Sequence, residues 1–264
     1  MGILEAILDA KRATLPELRR RPLPPEQAVR PLRLSRDRLA PLALCAEIKR
    51  RSPSAGELST KLSVGARARS YERGGASLVS VLTDTAFFDG RYEDLQEARA
   101  SCDLPILCKD FVLDECQLDL ARSYGADAVL LIVRCLGETR LTELLAGARE
   151  RQLAALVEVT SPLEADLALR SGADLIGVNA RDLDSLTVDS ARAAELVAAI
   201  PRDRVCVHLS GIGTPEAILP IARGRADAAL VGEALMREQD PEPLLRRLWE
   251  AARWGRSETP GLVS

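Results

Sequence analysis

From residue 42 onward the chain alternates short apolar runs with segments whose apolar residues recur every three or four positions. The runs stand at 42–49, 77–83, 105–109, 127–133, 154–159, 174–179, 204–209 and 227–232 and predict eight strands. A helical pattern follows each one: Ala66 to Arg73, Tyr92 to Ala100, Asp114 to Tyr124, Leu141 to Gln152, Pro162 to Arg170, Ser190 to Ala199, Pro215 to Arg223 and Pro241 to Trp254. Strands separated in this way pair in parallel, because a parallel crossover needs a long connection. Eight such units in about 210 residues predict an α/β fold, a single closed (β/α)8 TIM barrel rather than an open doubly wound sheet.

An internal repeat supports the same architecture. Gly75-Ala76-Ser77, Gly125-Ala126-Asp127, Gly172-Ala173-Asp174 and Arg225-Ala226-Asp227 each precede an apolar run, at steps of roughly 50 residues, two βα units apart. Glycine after a helix is a C-cap, so the even-numbered strands are entered through one kind of turn. Such spacing fits a barrel built by duplication, and recurrent helix-stop chemistry explains it almost as well. Ahead of the barrel, Ile3, Leu4, Ile7, Leu8, Leu15 and Leu18 recur at helical spacing, and Pro16 predicts a break between two helices. The expected organisation is an N-terminal helical extension over 1–41, the barrel over 42–255 and a C-terminal tail over 256–264. The extension's helix would cover the bottom of the barrel or lie across its mouth; both placements fit the pattern.

Composition narrows the possible partners. A chain of 264 residues with 47% hydrophobic content can bury one large core, and its formal net charge of -3, with basic residues spread out, gives no reason to expect nucleic acid. No apolar run approaches the roughly 18 residues of a membrane span, and the start lacks the basic and apolar segments of a leader. A cytoplasmic protein with no membrane partner is expected, as a monomer or weak homodimer. The six cysteines form no C-x-x-C pair and several lie in apolar runs, which predicts reduced core thiols and no metal site. His208 is the only histidine, so a His-based nucleophilic triad has no material.

Chemistry concentrates where apolar strands end in charge. In Cys45-Ala46-Glu47-Ile48-Lys49-Arg50-Arg51-Ser52-Pro53-Ser54, strand alternation puts Glu47 and Lys49 on one face and Ile48 on the other. Lys109, Glu158, and Asn179 with Arg181 stand at the ends of the third, fifth and sixth runs. Taken singly, each is also what a capped strand end or a surface ion pair looks like. Together they predict one site assembled at the carboxyl ends of many strands. Ser210-Gly211-Ile212-Gly213 after the seventh run and Gly232-Glu233 after the eighth supply two glycine turns, an arrangement that presents backbone N–H groups to a phosphate. Lys49 and Lys109 would hold an anionic substrate and donate a proton, and their mutual repulsion and burial predict a lowered lysine pKa. Glu158 would accept a proton from the far side of the cavity.

At this point the residues resemble those of the indole-3-glycerol phosphate synthase family, over nearly the whole stretch from Ala43 to Met236. The carriers are 46–54, Ser80-Val81-Leu82-Thr83-Asp84 with Phe87-Phe88-Asp89-Gly90, 105–111, Leu156-Val157-Glu158-Val159, 176–183 and Val231-Gly232-Glu233. The resemblance implies ring closure of a carboxyphenylamino-deoxyribulose phosphate to indole-3-glycerol phosphate, with loss of carbon dioxide and water and no cofactor. It implies Lys109 as general acid, Glu158 as the group handling the later proton and dehydration, Lys49 as the holder of the substrate's charged groups and Glu47 as the orienter of the lysines. It places Ser52, Asn179 and Arg181 at carboxylate and hydroxyl contacts. Ser210, Gly211, Gly232 and Glu233 would surround the phosphate, and Phe88 would lie over the anthranilate ring.

Two departures stand out. Members of that family usually carry Glu-Ser-Gly-Ile at the end of the seventh strand, whereas this chain has Leu209-Ser210-Gly211-Ile212, and Ala55 stands where many relatives have lysine. Loss of a carboxylate near the lysines would lower their pKa further and alter proton traffic. Three readings follow: an active synthase with altered rate or pH profile, a paralogue acting on a modified anthranilate-derived ribulose phosphate in a specialised pathway, and a catalytically impaired phosphate-binding barrel.

Overall fold

The computed structural model describes residues 2–37 and 40–257. Eight strands close into a parallel barrel: β1 (Ala43–Ile48), β2 (Leu78–Leu82), β3 (Ile106–Lys109), β4 (Ala128–Ile132), β5 (Ala154–Val159), β6 (Leu175–Asn179), β7 (Val205–Leu209) and β8 (Ala228–Val231). Each neighbours the next, and Ala46 against Val231 closes the ring between β1 and β8. An outer helix follows every strand: Val64–Arg73, Glu93–Ser101, Glu115–Ser123, Val133–Glu150, Pro162–Arg170, Ser190–Ala199, Pro215–Arg223 and Glu242–Ser257. The predicted element order is therefore the observed one. No described helix is long and apolar enough to cross a membrane.

Strand alternation sorts the side chains into two cores. Leu44, Ala46, Ile48, Val129, Leu131, Val157 and Val159 face the helices, whereas Cys45, Leu107, Leu130, Leu156, Val207 and Leu230 fill the barrel interior. Glu47, Lys109, Glu158, Asn179 and Leu209 keep the inward register, each two residues beyond an inward position, so they form the uppermost layer at the carboxyl ends. Helices start where the sequence supplies an acceptor: Ser63, Asp114, Ser161, Asp189 and Thr214 each cap the first turn with a side-chain oxygen.

Elements that periodicity did not reveal are short. A two-residue hairpin, Arg51–Ser52 with Gly56–Glu57, follows β1, and single-turn helices Thr85–Phe88 and Glu233–Arg237 follow β2 and β8. The helix predicted from Leu141 begins at Val133 and is interrupted at Gly137, whose φ of 68° and ψ of 178° are non-helical. The expected break at Pro16 does not occur: one helix runs Ile3–Leu18, with Pro16 in its last turn. A proline there forfeits a single bond, and the Arg19 N–H still reaches the Leu15 carbonyl at 3.0 Å. Of the predicted tail, Arg256 and Ser257 end the last helix and 258–264 lie outside the described residues.

The N-terminal segment spans the barrel from end to end. Its helix lies at the mouth, with Leu4, Ile7 and Lys11 buried. Further along, the Arg30 guanidinium donates to the Cys102 and Leu104 carbonyls at 2.8 and 2.9 Å, and Leu32 and Leu34 close the bottom against Cys45, Leu78, Leu107 and Val207.

The repeated turns have a common physical basis. Gly75, Gly125 and Gly172 have φ of 92°, 94° and 82°, a left-handed region that side-chain-bearing residues rarely enter. Asp127 then accepts from the Ile106 N–H at 2.8 Å and pairs with Arg99 at 2.9 Å. Asp227 does the same one half-barrel later, with the Cys206 N–H at 2.8 Å and Arg225 at 2.7 Å. Asp174, at the equivalent place, leaves its side chain 80% exposed. Asp127→Ala strands a buried arginine and is expected to destabilise the fold by about 3–5 kcal/mol, whereas Asp174→Ala changes stability by less than about 0.5 kcal/mol; urea titrations of the two variants against the parent chain check the contrast.

Candidate active site

Three strands bring one carboxylate and two ammonium groups together. Glu47 on β1, with only 3% of its side chain exposed, has Oε1 at 2.8 Å from Lys49 Nζ and Oε2 at 3.4 Å from Lys109 Nζ on β3. Burial alone would raise the Glu47 pKa, but the two cations outweigh it and hold the carboxyl at about 2. Lys109 moves the other way from the sequence expectation. Burial lowers its pKa, yet Glu47 and then Glu158 more than compensate, and the net shift is upward. The sequence reading placed Glu47 beside the lysines but weighed their repulsion and burial above its carboxylate, which the distances reverse.

Gly232, just past β8, makes that arrangement sterically possible. A Cβ at this position would sit 2.4 Å from Glu47 Oε1, closer than real contacts allow. Its carbonyl also accepts from the Met236 N–H at 3.0 Å and so starts the Glu233–Arg237 turn. One glycine therefore serves the ion-pair layer and the loop after the last strand.

Across the barrel, Glu158 on β5 accepts a hydrogen bond from Asn179 Nδ2 on β6 at 2.9 Å. It is 2% exposed, and burial pushes its pKa above the usual carboxylate range, with Lys109 and Asn179 opposing. Two carboxyl groups in one cavity are thus driven apart, Glu47 toward permanent ionisation and Glu158 toward holding a proton. Such splitting is how one site supplies both an acid and a fixed negative charge. Asn179 Oδ1 accepts from the Arg181 N–H at 3.0 Å, and the Arg181 guanidinium is steadied by the Leu186 carbonyl at 2.8 Å.

The remaining residues singled out in the sequence line the same cavity, whose volume is about 460 Å³. Ser210 and Gly211 are consecutive left-handed residues, with φ of 69° and 79°, that turn the chain sharply after β7. Glu233 is tied to Arg237 at 2.8 Å, a bond that lowers its pKa. Ser52 braces the hairpin after β1 by accepting the Ala55 N–H at 3.1 Å. Phe88 stacks obliquely on Phe111 with ring centroids 6.1 Å apart. His208 is buried on the opposite face of β7 and does not line the cavity.

Leu209, where the family pattern has glutamate, is 1% exposed and forms part of the cavity wall. It packs over β6, where a Cβ on Gly177 would meet its Cδ1 at 2.8 Å, so the aliphatic side chain uses the space that a glycine leaves. Sequence reasoning missed the apolar contribution of Leu4 and Ile7, which line the cavity from the N-terminal helix. Their helical spacing was visible, but nothing local says which end of a barrel a terminal helix will cover. It also missed Arg50, whose guanidinium grips Asp94 at 2.6 and 2.7 Å and the Asp89 carbonyl at 2.8 Å, fastening the chain after β1 to the connection after β2.

With this geometry in view, comparison with known proteins is informative. The family model for indole-3-glycerol phosphate synthase matches residues 4–248. The chain is 49% identical over 208 residues to indole-3-glycerol phosphate synthase 2 of Streptomyces coelicolor, covering 78% of this chain and 80% of that one. It is 42% identical over 259 residues to the synthase of Micrococcus luteus, covering 93% and 96%, and 45% identical over 205 residues to that of an Exiguobacterium species, covering 78% and 81%. Among solved structures, a thiamine phosphate pyrophosphorylase from Pyrococcus furiosus shares the barrel fold, with a TM-score of 0.62, 19% identity and coverage of 83% and 98%. A match running from the mouth helix to the last outer helix, with relatives this similar over most of their length, means that the chain belongs to the indole-3-glycerol phosphate synthase family.

Proposed function

We propose that this chain is an indole-3-glycerol phosphate synthase of tryptophan biosynthesis, closing the ring of 1-(2-carboxyphenylamino)-1-deoxyribulose 5-phosphate with loss of carbon dioxide and water. The observation that carries the reading is the Glu47 carboxylate between Lys49 and Lys109, facing the Glu158–Asn179 pair across one cavity. One carboxylate between two ammonium groups leaves a net positive charge toward the cavity, and Arg181 adds another, which suits a substrate carrying both a carboxylate and a phosphate.

The roles follow from the charge states. Lys109, kept protonated by its carboxylate neighbours, protonates the ribulose carbonyl as the ring carbon attacks, so a carbon–carbon bond forms and the oxygen becomes a hydroxyl. The substrate's carboxylate then leaves as carbon dioxide, its bonding electrons returning to the ring. Glu158, with its raised pKa, gives its proton to that hydroxyl as the C–O bond breaks and water departs, and its carboxylate then takes a proton from the adjacent carbon next to nitrogen, leaving the ring double bond. Lys49, Ser52, Asn179 and Arg181 hold the carboxylate and hydroxyls, Ser210, Gly211, Gly232 and Glu233 surround the phosphate, and Phe88 covers the ring. The chain works on this small phosphate ester in the cytoplasm, as a monomer or weak homodimer. Leu209 contributes an aliphatic stretch to the cavity wall, packed over Gly177.

Incubating the purified protein with the ribulose phosphate is expected to produce indole fluorescence, and Lys109→Met to lower kcat by about 10²–10⁴-fold, read on variant protein whose circular dichroism shows it folded. Absence of turnover by the parent chain would end the assignment. Glu47, depressed from 4.5 to about 2, contributes stability that is complete above its unfolded value and lost as the pH falls toward 2. Glu47→Gln is therefore expected to flatten the loss of stability between those limits, measured as denaturation midpoints at a series of acid pH values.

A further inference from the structure

We propose that Lys11 is a positioning residue for this reaction, latching the N-terminal helix over the cavity and setting the aromatic wall against it. The inference rests on the activity proposed above. Leu4, Ile7 and Lys11 are spaced to share one face of the helix, and all three are buried. Leu4 and Ile7 line the cavity, whereas Lys11 reaches past them to two aspartates of the barrel, Asp84 Oδ2 at 2.9 Å and Asp110 Oδ1 at 2.6 Å. The side chains of the three are 7%, 3% and 0% exposed, so this cluster is shielded from solvent and from screening by salt.

Each aspartate is built into the site's frame. Asp84 follows β2 and caps the single-turn helix Thr85–Phe88 by accepting the Phe87 N–H at 2.8 Å, and so places Phe88. Asp110 follows Lys109 directly, accepts the Phe111 N–H at 2.8 Å and accepts the Tyr92 hydroxyl at 3.2 Å. Lys11 is the shared counter-ion of both. Without it two buried carboxylates would face each other with no cation between them, and the turn carrying Phe88, the segment after Lys109 and the helix bearing Leu4 and Ile7 would lose their common tie. The raised Lys11 pKa agrees: burial lowers it, and Asp110 and Asp84 outweigh that. A lysine on a terminal helix thereby acts on substrate binding through groups it does not share with the Glu47 cluster.

Steady-state kinetics on Lys11→Met and Lys11→Arg test the latch. Lys11→Met is expected to raise KM about tenfold, a cost of about 1.4 kcal/mol in binding, with a smaller fall in kcat, and Lys11→Arg to recover most of the loss. Amide hydrogen exchange, which needs no turnover, is expected to quicken across Ile3–Leu18 in Lys11→Met while the barrel strands keep their protection. A Lys11→Met enzyme with the parent's KM and unchanged exchange in that helix overturns the proposal. Should that variant fail to fold, Asp84→Asn, which keeps the Lys11–Asp110 pair, is expected to give a smaller rise in KM and faster exchange in the helix; no change in either overturns it equally. Parent protein without turnover would defeat the activity and leave the exchange result to judge the latch.

Discussion

A buried carboxylate clamped between two lysines is the constraint on which the upper layer of this barrel depends. Removing Glu47, Lys49 and Lys109 from water is costly, and their mutual attraction offsets that cost only while all three stay in place. Their strands must end at matching heights, and the neighbouring strand must carry no side chain where Oε1 lies. Gly232 meets that demand, and the loop after β8 starts from the same residue. An ion-pair geometry at one side of the barrel thereby determines the start of the turn after β8.

The interior is divided by height. Lower positions are aliphatic and packed; the next inward positions on β1, β3, β5 and β6 are Glu47, Lys109, Glu158 and Asn179. Within that polar layer, environment separates groups of the same chemical type. Glu47 has two cations in contact and stays ionised, while Glu158 has an amide donor and a more distant lysine and is pushed toward the neutral form. Leu209 belongs to the same layer and interrupts it with an aliphatic patch against Gly177. Lys109 keeps its charge nonetheless, because the carboxylate that sustains it comes from β1.

Both ends of the barrel are closed by one N-terminal segment, and each closure uses a cation on buried aspartate. At the mouth Lys11 joins Asp84 and Asp110; at the bottom Asp127 takes the Arg30 N–H at 2.6 Å and the Arg99 guanidinium, while Leu32 and Leu34 cover the aliphatic floor. Those aspartates lie just beyond the ends of the strands, where unpaired backbone N–H groups also need acceptors. Charge pairing and strand-end satisfaction are thus met by the same side chains.

Local periodicity was enough to predict the eight strands and their order, and it placed Glu47, Lys109, Glu158 and Asn179 at the carboxyl ends of those strands, because a parallel barrel leaves little freedom once the ring closes. The glycine turns were equally legible, since left-handed backbone restricts the residue type. Pairwise distances across the barrel were not legible, and so the direction of the Lys109 shift was missed: a pKa depends on what stands opposite, and Glu47 and Lys109 are 62 positions apart in the chain. The same reason hid the role of the first helix. Its apolar face showed only that it packs on something, and the mouth of the barrel became the answer when Asp84 and Asp110, brought together by folding, offered Lys11 two buried acidic partners at once.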